Sequence, residues 1–255
     1  MDRKKLFLYA HSYQRSGTMP IQRRYVIFIL SLLLAGPHLF ALERSSLVAR
    51  FERARLYLND MTKAPDISIP TELLQECKGV MILRQYKAGF MLGAKGGEGI
   101  VMVRDETTGK WSPPVFIATA EGSFGFQIGG QSIDAIILIM NRDGLDMLLK
   151  SRFKIGLDAS AAAGPVGRDV SAKLSAGTAL LTYSRAKGLY AGASFEGGFL
   201  LIDDKANHTF YEDDSLTPRD ILFRNAVEMP QEALPLISIL EEYSAPRIPL
   251  TGEEE

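Results

Sequence analysis

Histidine and cysteine are scarce in this chain, and the scarcity bounds its chemistry. The histidines are His11, His38 and His208, and the single cysteine is Cys77. A zinc centre needs several nitrogen or sulfur ligands held together, and His208 with Cys77 cannot supply them. A Ser-His-Asp or Cys-His mechanism would have His208 as its only base outside the N-terminal segment. One cysteine gives no intramolecular disulfide framework, and Cys77 reads as a buried, inert thiol. Carboxylates are plentiful: Glu98, Glu121, Asp134, Asp158, Asp169 and Glu196 fall in or beside strand-like segments. A glycosidase needs two such acids flanking a cleft, but edge-protecting or inward-facing carboxylates explain them as well. No phosphate-binding GxxxxGK[ST] loop occurs, and Gly96-Gly97-Glu98-Gly99 leads into a strand rather than a helix. No cofactor is implied.

The basic residues are more suggestive. Ser45 to Lys63 carries Leu47, Phe51, Ala54, Leu58 and Met61 at helical spacing, one apolar stripe. Arg50 and Arg55 flank that stripe and Arg53 lies further round. Basic stems beside an apolar face suit a helix lying on a lipid surface, or one docked on its own domain. Arg168 follows Gly164-Pro165-Val166-Gly167, and Arg185 and Lys187 sit in the segment from Tyr183 to Tyr190. Cations at glycine-rich turns can meet phosphate oxygens.

The elements that must position these residues follow from pattern. A short helix from Thr71 to Cys77 opens behind Pro70. Of 23 glycines, 19 lie between Gly89 and Gly198. That region also holds the apolar runs Ile100–Val103, Val115–Ile117, Ile133–Met140 and Phe199–Ile202, read as short strands. Asp105 to Lys110 reads as a hairpin loop and Gly144 to Ser151 as a helix. Asp203 to Asp214, with His208, reads as a solvated acidic turn. Thr217-Pro218 opens another helix, and Pro230 to Tyr243 forms a last one, kinked at Pro235. The expected fold is α+β. It has a glycine-rich, largely antiparallel sheet or barrel-like core, flanked by an N-terminal amphipathic helix and C-terminal helices.

Arg23 and Arg24 precede the apolar run Tyr25 to Gly36, and Ala41 offers a small residue for cleavage. Residues 1–41 therefore read as a signal peptide, with Met19 as the start and residues 1–18 an extension upstream of it. Residues 42–245 read as one domain and 246–255 as a disordered acidic tail. The whole chain has a formal net charge of −1; residues 1–41 carry six basic and one acidic residue, so the remainder stands at −6. That balance argues against nucleic acid as a partner.

Taken in order, IPTELLQECKGVMIL from Ile69, GEGIVMVRDETTGKWSPP from Gly97, FGFQIGGQSIDAIILIMN from Phe124, GPVGRDV from Gly164 and YSRAKGLYAGASFEG from Tyr183 resemble the SYLF domain. The likeness covers roughly Leu47 to Tyr243. It implies a lipid-binding module of the phosphoinositide-binding kind, aided by an N-terminal amphipathic helix, and it supplies no catalytic residue. The resulting expectation is an exported, non-catalytic protein in the periplasm or cell envelope, peripherally attached to anionic phospholipid headgroups. Arg50, Arg53 and Arg55 would face the headgroups while Leu47, Phe51 and Leu58 enter the interface. Arg168, Arg185 and Lys187 would form a second phosphate contact. The alternatives are an envelope scaffold docking a protein partner or a second copy through the same helix, and a carboxylate-based hydrolase.

Overall fold

The computed structural model describes residues 43–63, 68–150, 152–155, 161–164, 178–188 and 198–245, all within the compact unit Leu42–Glu255. The expected signal segment, the acidic tail and Arg168 lie outside the described residues.

The chain begins with helix α1 (Arg44–Lys63) and the short α2 (Thr71–Glu76). Strands β1 (Gly79–Val103) and β2 (Val115–Ile139) form one long antiparallel hairpin. Helix α3 (Arg142–Met147), β3 (Arg152–Ile155), β4 (Ala161–Ala163), β5 (Leu180–Gly188) and β6 (Gly198–Ile202) follow. Helices α4 (Asp204–Tyr211), α5 (Pro218–Phe223) and α6 (Leu234–Ser244) complete the described chain. Among the described residues the sheet has six strands. β2 is its hub, pairing β1, β5 and β6 antiparallel, while β4 pairs β5 in parallel. Among the described strands the sheet is not closed into a barrel.

The runs expected as separate short strands are the ends of two continuous 25-residue strands. A bulge between Phe90 and Leu92 interrupts their register, and a bulge bends the strand that carries it. The hairpin doubles back until the two halves of β1 meet. A Cβ on Gly97 would stand 2.4 Å from the Arg84 carbonyl oxygen, and one on Gly99 would stand 2.5 Å from that of Ile82. Only glycine permits that approach of backbone to backbone.

Both faces of the sheet are buried, which is why its strands read as unbroken apolar runs. Val80, Ile82, Ile100, Met102, Phe116, Ile136 and Leu138 face one core, under α1, α2, α4 and α6. Their neighbours Met81, Leu83, Val101, Val103, Val115, Ile117, Ile137 and Ile139 face the other, under α3 and α5. The first core holds an aromatic trio. Phe51 stacks on Phe116 at 5.3 Å between ring centroids, and Phe210 meets both edge-on at 5.2 Å.

Two local expectations need correction. Asp203 to Asp214 is not an open turn: Asp203 caps α4 by accepting from the Ala206 N–H at 3.1 Å, and Ala206, Asn207 and Phe210 are buried on one side. The acidic residues hid a helix whose charges fall on its cap and its exposed side. Pro235 kinks nothing, because a 3₁₀ turn over Gln231–Ala233 precedes α6 and places that proline in its first turn, where no backbone N–H is needed.

Candidate functional site

Charged residues gather where α1 crosses the sheet. Arg50, Arg53 and Tyr57 recur at spacings of three and four, so they share one side of the helix beside the apolar stripe. Arg50 is 8% exposed. Its Nε lies 2.9 Å from Glu98 Oε2, and its Nη1 donates to Asp203 Oδ2 at 3.1 Å. Arg53 donates to the other oxygen of Glu98. Glu98 comes from β1 and Asp203 from the cap of α4, so these bonds tie α1 to two distant segments.

A second row of charge crosses the sheet beneath. Arg84 on β1 and Arg185 on β5 both stand opposite Asp134 on β2. Arg84 grips Asp134 with both prongs, at 2.5 and 2.9 Å, and the Asp134 side chain is 3% exposed. That hydrogen bond holds the Arg84 guanidinium above its ordinary range. Tyr57 donates from its hydroxyl to the Asp134 carbonyl oxygen at 2.5 Å. Burial pushes the Tyr57 phenol up, the Asp134 charge adds to this, and Arg185 and Arg84 oppose it. The space between the two rows measures about 30 Å³, room for about one water. It is lined by the paired charges of both rows and is too small for a substrate.

The expected lipid-contacting residues separate by position. Leu47, Phe51 and Leu58 are buried to 1% exposure or less, packed in the first core. With α1 docked, this stripe faces the sheet rather than a membrane, because aromatic partners from β2 and α4 receive it. Leu56 points outward at 47% exposure. Arg55 stays at the surface, paired within its own helix with Glu52 at 2.6 and 2.8 Å. Arg185 lies on β5 in the row just described. Lys187 stands opposite Ser132 in the ladder, and its side chain lies outside the described residues, as does Arg168. Gly164, first of the motif before Arg168, has a packing role: a Cβ there would stand 2.1 Å from a ring carbon of Tyr183.

The carboxylates weighed for hydrolysis are also placed in part. Glu98 and Asp134 are both held by arginines. The side chain of Glu121, and Asp158, Asp169 and Glu196 altogether, lie outside the described residues. His208 sits on α4 with Nδ1 3.7 Å from Asp214. Cys77 is buried, and burial pushes its thiol up to about 12. Among the described residues no group of His, Cys, Asp and Glu could hold a metal ion, and no helix is long and apolar enough to cross a membrane. Sequence reasoning missed Tyr57 and Asp203 as members of the cluster. The spacing of Arg50, Arg53 and Tyr57 was the available signal for Tyr57. Nothing local points to Asp203, which is 153 residues from its partner Arg50.

Comparison with known proteins bears on the same region. Residues 120–243 match the family described as Ysc84, Las17-binding protein actin regulator. The chain is 33% identical over 208 residues to SH3 domain-containing YSC84-like protein 1 of Rattus norvegicus, covering 78% of this chain and 60% of that protein. The Homo sapiens protein of that name matches at the same identity, length and coverage. Protein YSC84 of Saccharomyces cerevisiae is 33% identical over 181 residues, 69% of this chain and 38% of its own length. The chain thus spans about 60% of the length of the first of these relatives. Residues 120–243 thus match the Ysc84, or SYLF, domain family, and a longer stretch of the chain is similar to YSC84-like proteins.

Proposed function

We propose that the chain is a non-catalytic lipid-binding domain that attaches to anionic phospholipid headgroups, with α1 as the element that engages the surface. The observation that carries this reading is the pairing of Arg50 and Arg53 with Glu98 and Asp203. A guanidinium that forks onto carboxylates offers the same donors to phosphate oxygens. An anionic surface therefore competes for the arginines that hold α1 in place. Once they exchange partners, Leu47, Phe51 and Leu58 leave the core for the membrane interface. Burying each such side chain contributes about 1.5–3 kcal/mol, which keeps α1 docked where no membrane is present. Arg55 needs no such exchange, since its ion pair lies on the helix surface. Arg168, Arg185 and Lys187 belong to the same proposal as a second phosphate contact. Export to the periplasm or cell envelope is also proposed, from the pattern over Arg23 to Ala41.

Vesicle flotation tests this directly. The chain should float with anionic and not with zwitterionic phospholipid vesicles, and rising salt should weaken the association. Arg55→Glu should lower binding several-fold, since one basic residue near an anionic surface contributes about 1 kcal/mol. Equal binding to both vesicle types, or binding indifferent to salt, would overturn the reading.

A second reading, docking of a protein partner, draws on the names of relatives. The matched family is described as Las17-binding. LAS seventeen-binding protein 3 of Saccharomyces cerevisiae is 33% identical over 181 residues, 69% of this chain and 39% of that protein. An Arg55→Glu variant that still captures a protein partner but no longer floats would separate the two activities.

A further inference from the structure

The second face of the sheet carries an opening unlike the sealed cluster under α1. A groove of about 690 Å³ runs between the loop joining β1 to β2 and helices α3 and α5. A hollow of about 530 Å³ adjoins it through Leu149 and Arg219, which line both. An occupant that follows the two is elongated. Leu149 and Phe223 present apolar surface to the groove and are exposed by 37% and 39%. Trp111 lines the groove too, at 5% exposure, and its indole Nε1–H has no acceptor among the described residues. A buried donor without an acceptor carries its full desolvation cost.

Most carboxylates along this path are engaged. Asp105 accepts from the Thr107 and Thr108 amides, Glu106 pairs with Lys78, Asp146 faces Arg142 at 4.0 Å, and Asp220 accepts from Thr217 and Arg224. The Asp204 carboxylate is the exception among the described residues. Lys110 in the groove, Lys150 in the hollow and Arg219 in both form no ion pair among the described residues. Three unpaired cations against one free carboxylate leave the path positive, although residues 42–255 carry a net −6.

We propose that this path takes an extended acidic segment of a partner protein, one that carries apolar residues among its Asp and Glu. Its apolar side chains rest on Leu149 and Phe223, its carboxylates meet Lys110, Arg219 and Lys150, and a backbone carbonyl accepts from Trp111 Nε1–H. The three cations come from three separate segments of the chain, which suits several carboxylates spaced along an occupant. An acyl lipid has hydrogen-bond acceptors only at its head, whereas a peptide carries a carbonyl in every residue. The site is independent of the lipid reading, since none of its residues lies on α1 or in the expected phosphate contacts, and it does not draw on the names of relatives.

The chain's single tryptophan, Trp111, reads occupancy. The full chain is titrated without lipid with the synthetic peptide acetyl-ELELELE-amide, and with acetyl-KLKLKLK-amide and acetyl-ESESESE-amide as controls, while Trp111 emission and its quenching by acrylamide are followed. The acidic apolar peptide should change both saturably, and rising salt should weaken the effect. Neither control should match it. Lys110→Glu with Arg219→Glu should weaken binding about tenfold, as the loss of two exposed charge contacts implies. Leu149→Ser, at an exposed position, should weaken it too and serves as the second variant should the charge reversal disturb folding. No response to acetyl-ELELELE-amide, or an equal response to all three peptides, overturns the proposal. Anionic phospholipid vesicles that change Trp111 emission, with the double reversal abolishing both that change and flotation, also overturn it, because the path would then be a lipid contact.

Discussion

The two faces of one sheet solve the same burial problem differently. On the first, a 20-residue helix lays an apolar stripe across the strands and closes its margin with arginine–carboxylate pairs. On the second, two six-residue helices cover an aliphatic core and leave a groove beside them. A long helix buries a continuous stripe, whereas a helix of fewer than two turns anchors only two or three side chains and leaves its neighbours at the surface. The α1 stripe that suggested a membrane contact is buried, while Leu149, in the turn after α3, and Phe223, at the end of α5, are exposed.

That contrast can be broken by substitution. Phe51→Ala removes one ring of the aromatic trio and should cost about 3–5 kcal/mol of stability. Phe223→Ala, on the open face, should change it by no more than about 0.5 kcal/mol. Denaturant unfolding of the two variants checks both, and equal losses would mean that the second face is closed in solution. Asp134→Ala leaves Arg84 without its carboxylate and should cost about 3 kcal/mol in the same assay, the upper range for breaking a buried pair being discounted because Arg84 keeps some solvent contact. Gly99→Ala tests the doubling-back of the hairpin. Its Cβ would crowd rigid backbone from Ile82 and Leu83, and overpacking of this kind costs about 1–3 kcal/mol.

Smaller effects belong to the second face. Thr217 caps α5 in a reciprocal capping box with Asp220, so Thr217→Ala should cost about 1 kcal/mol. Hydrogen bonds from Thr217, and then from Arg224, hold the Asp220 carboxyl below its ordinary value of 3.8. A depressed carboxylate contributes its stabilisation above the unfolded pKa and loses it as pH falls through the folded one. The destabilisation by Thr217→Ala should therefore be full at neutral pH and shrink below about pH 4, as acid titration of the unfolding midpoint would show. A penalty that stays constant to pH 2 would remove Asp220 from the cap.

Legibility in the sequence differed along these lines. Helix α1, the turn from Asp105 to Lys110 and the Thr217-Pro218 start of α5 follow from local rules of spacing, capping and turn chemistry, and they stand where those rules put them. Ser45 and Ser46 lie inside the first turn of α1, where Ser46 Oγ donates to the Glu43 carbonyl oxygen at 2.7 Å. The strands were legible as apolar runs but not in length, because glycine-rich segments between the runs carry no apolar signal while still pairing in register. Of the candidate site, the basic residues of α1 were visible and their partners were not. Glu98 and Asp203 are 45 and 153 residues away from the arginines to which they bond.

By itself the sequence determined the class of the molecule: α+β, glycine-rich at its centre, and built around one amphipathic helix. Each of these follows from composition or from a periodicity that local backbone geometry imposes. Only the tertiary structure decided which way that helix faces and what its arginines hold. An amphipathic stripe states that an apolar face must be covered, but the covering surface here is assembled from β1, β2 and α4, brought together by a hairpin that folds back through Gly97 and Gly99. The burial that fixes α1 and the openness of the opposite groove are consequences of that long-range closure, which no window of neighbouring residues encodes.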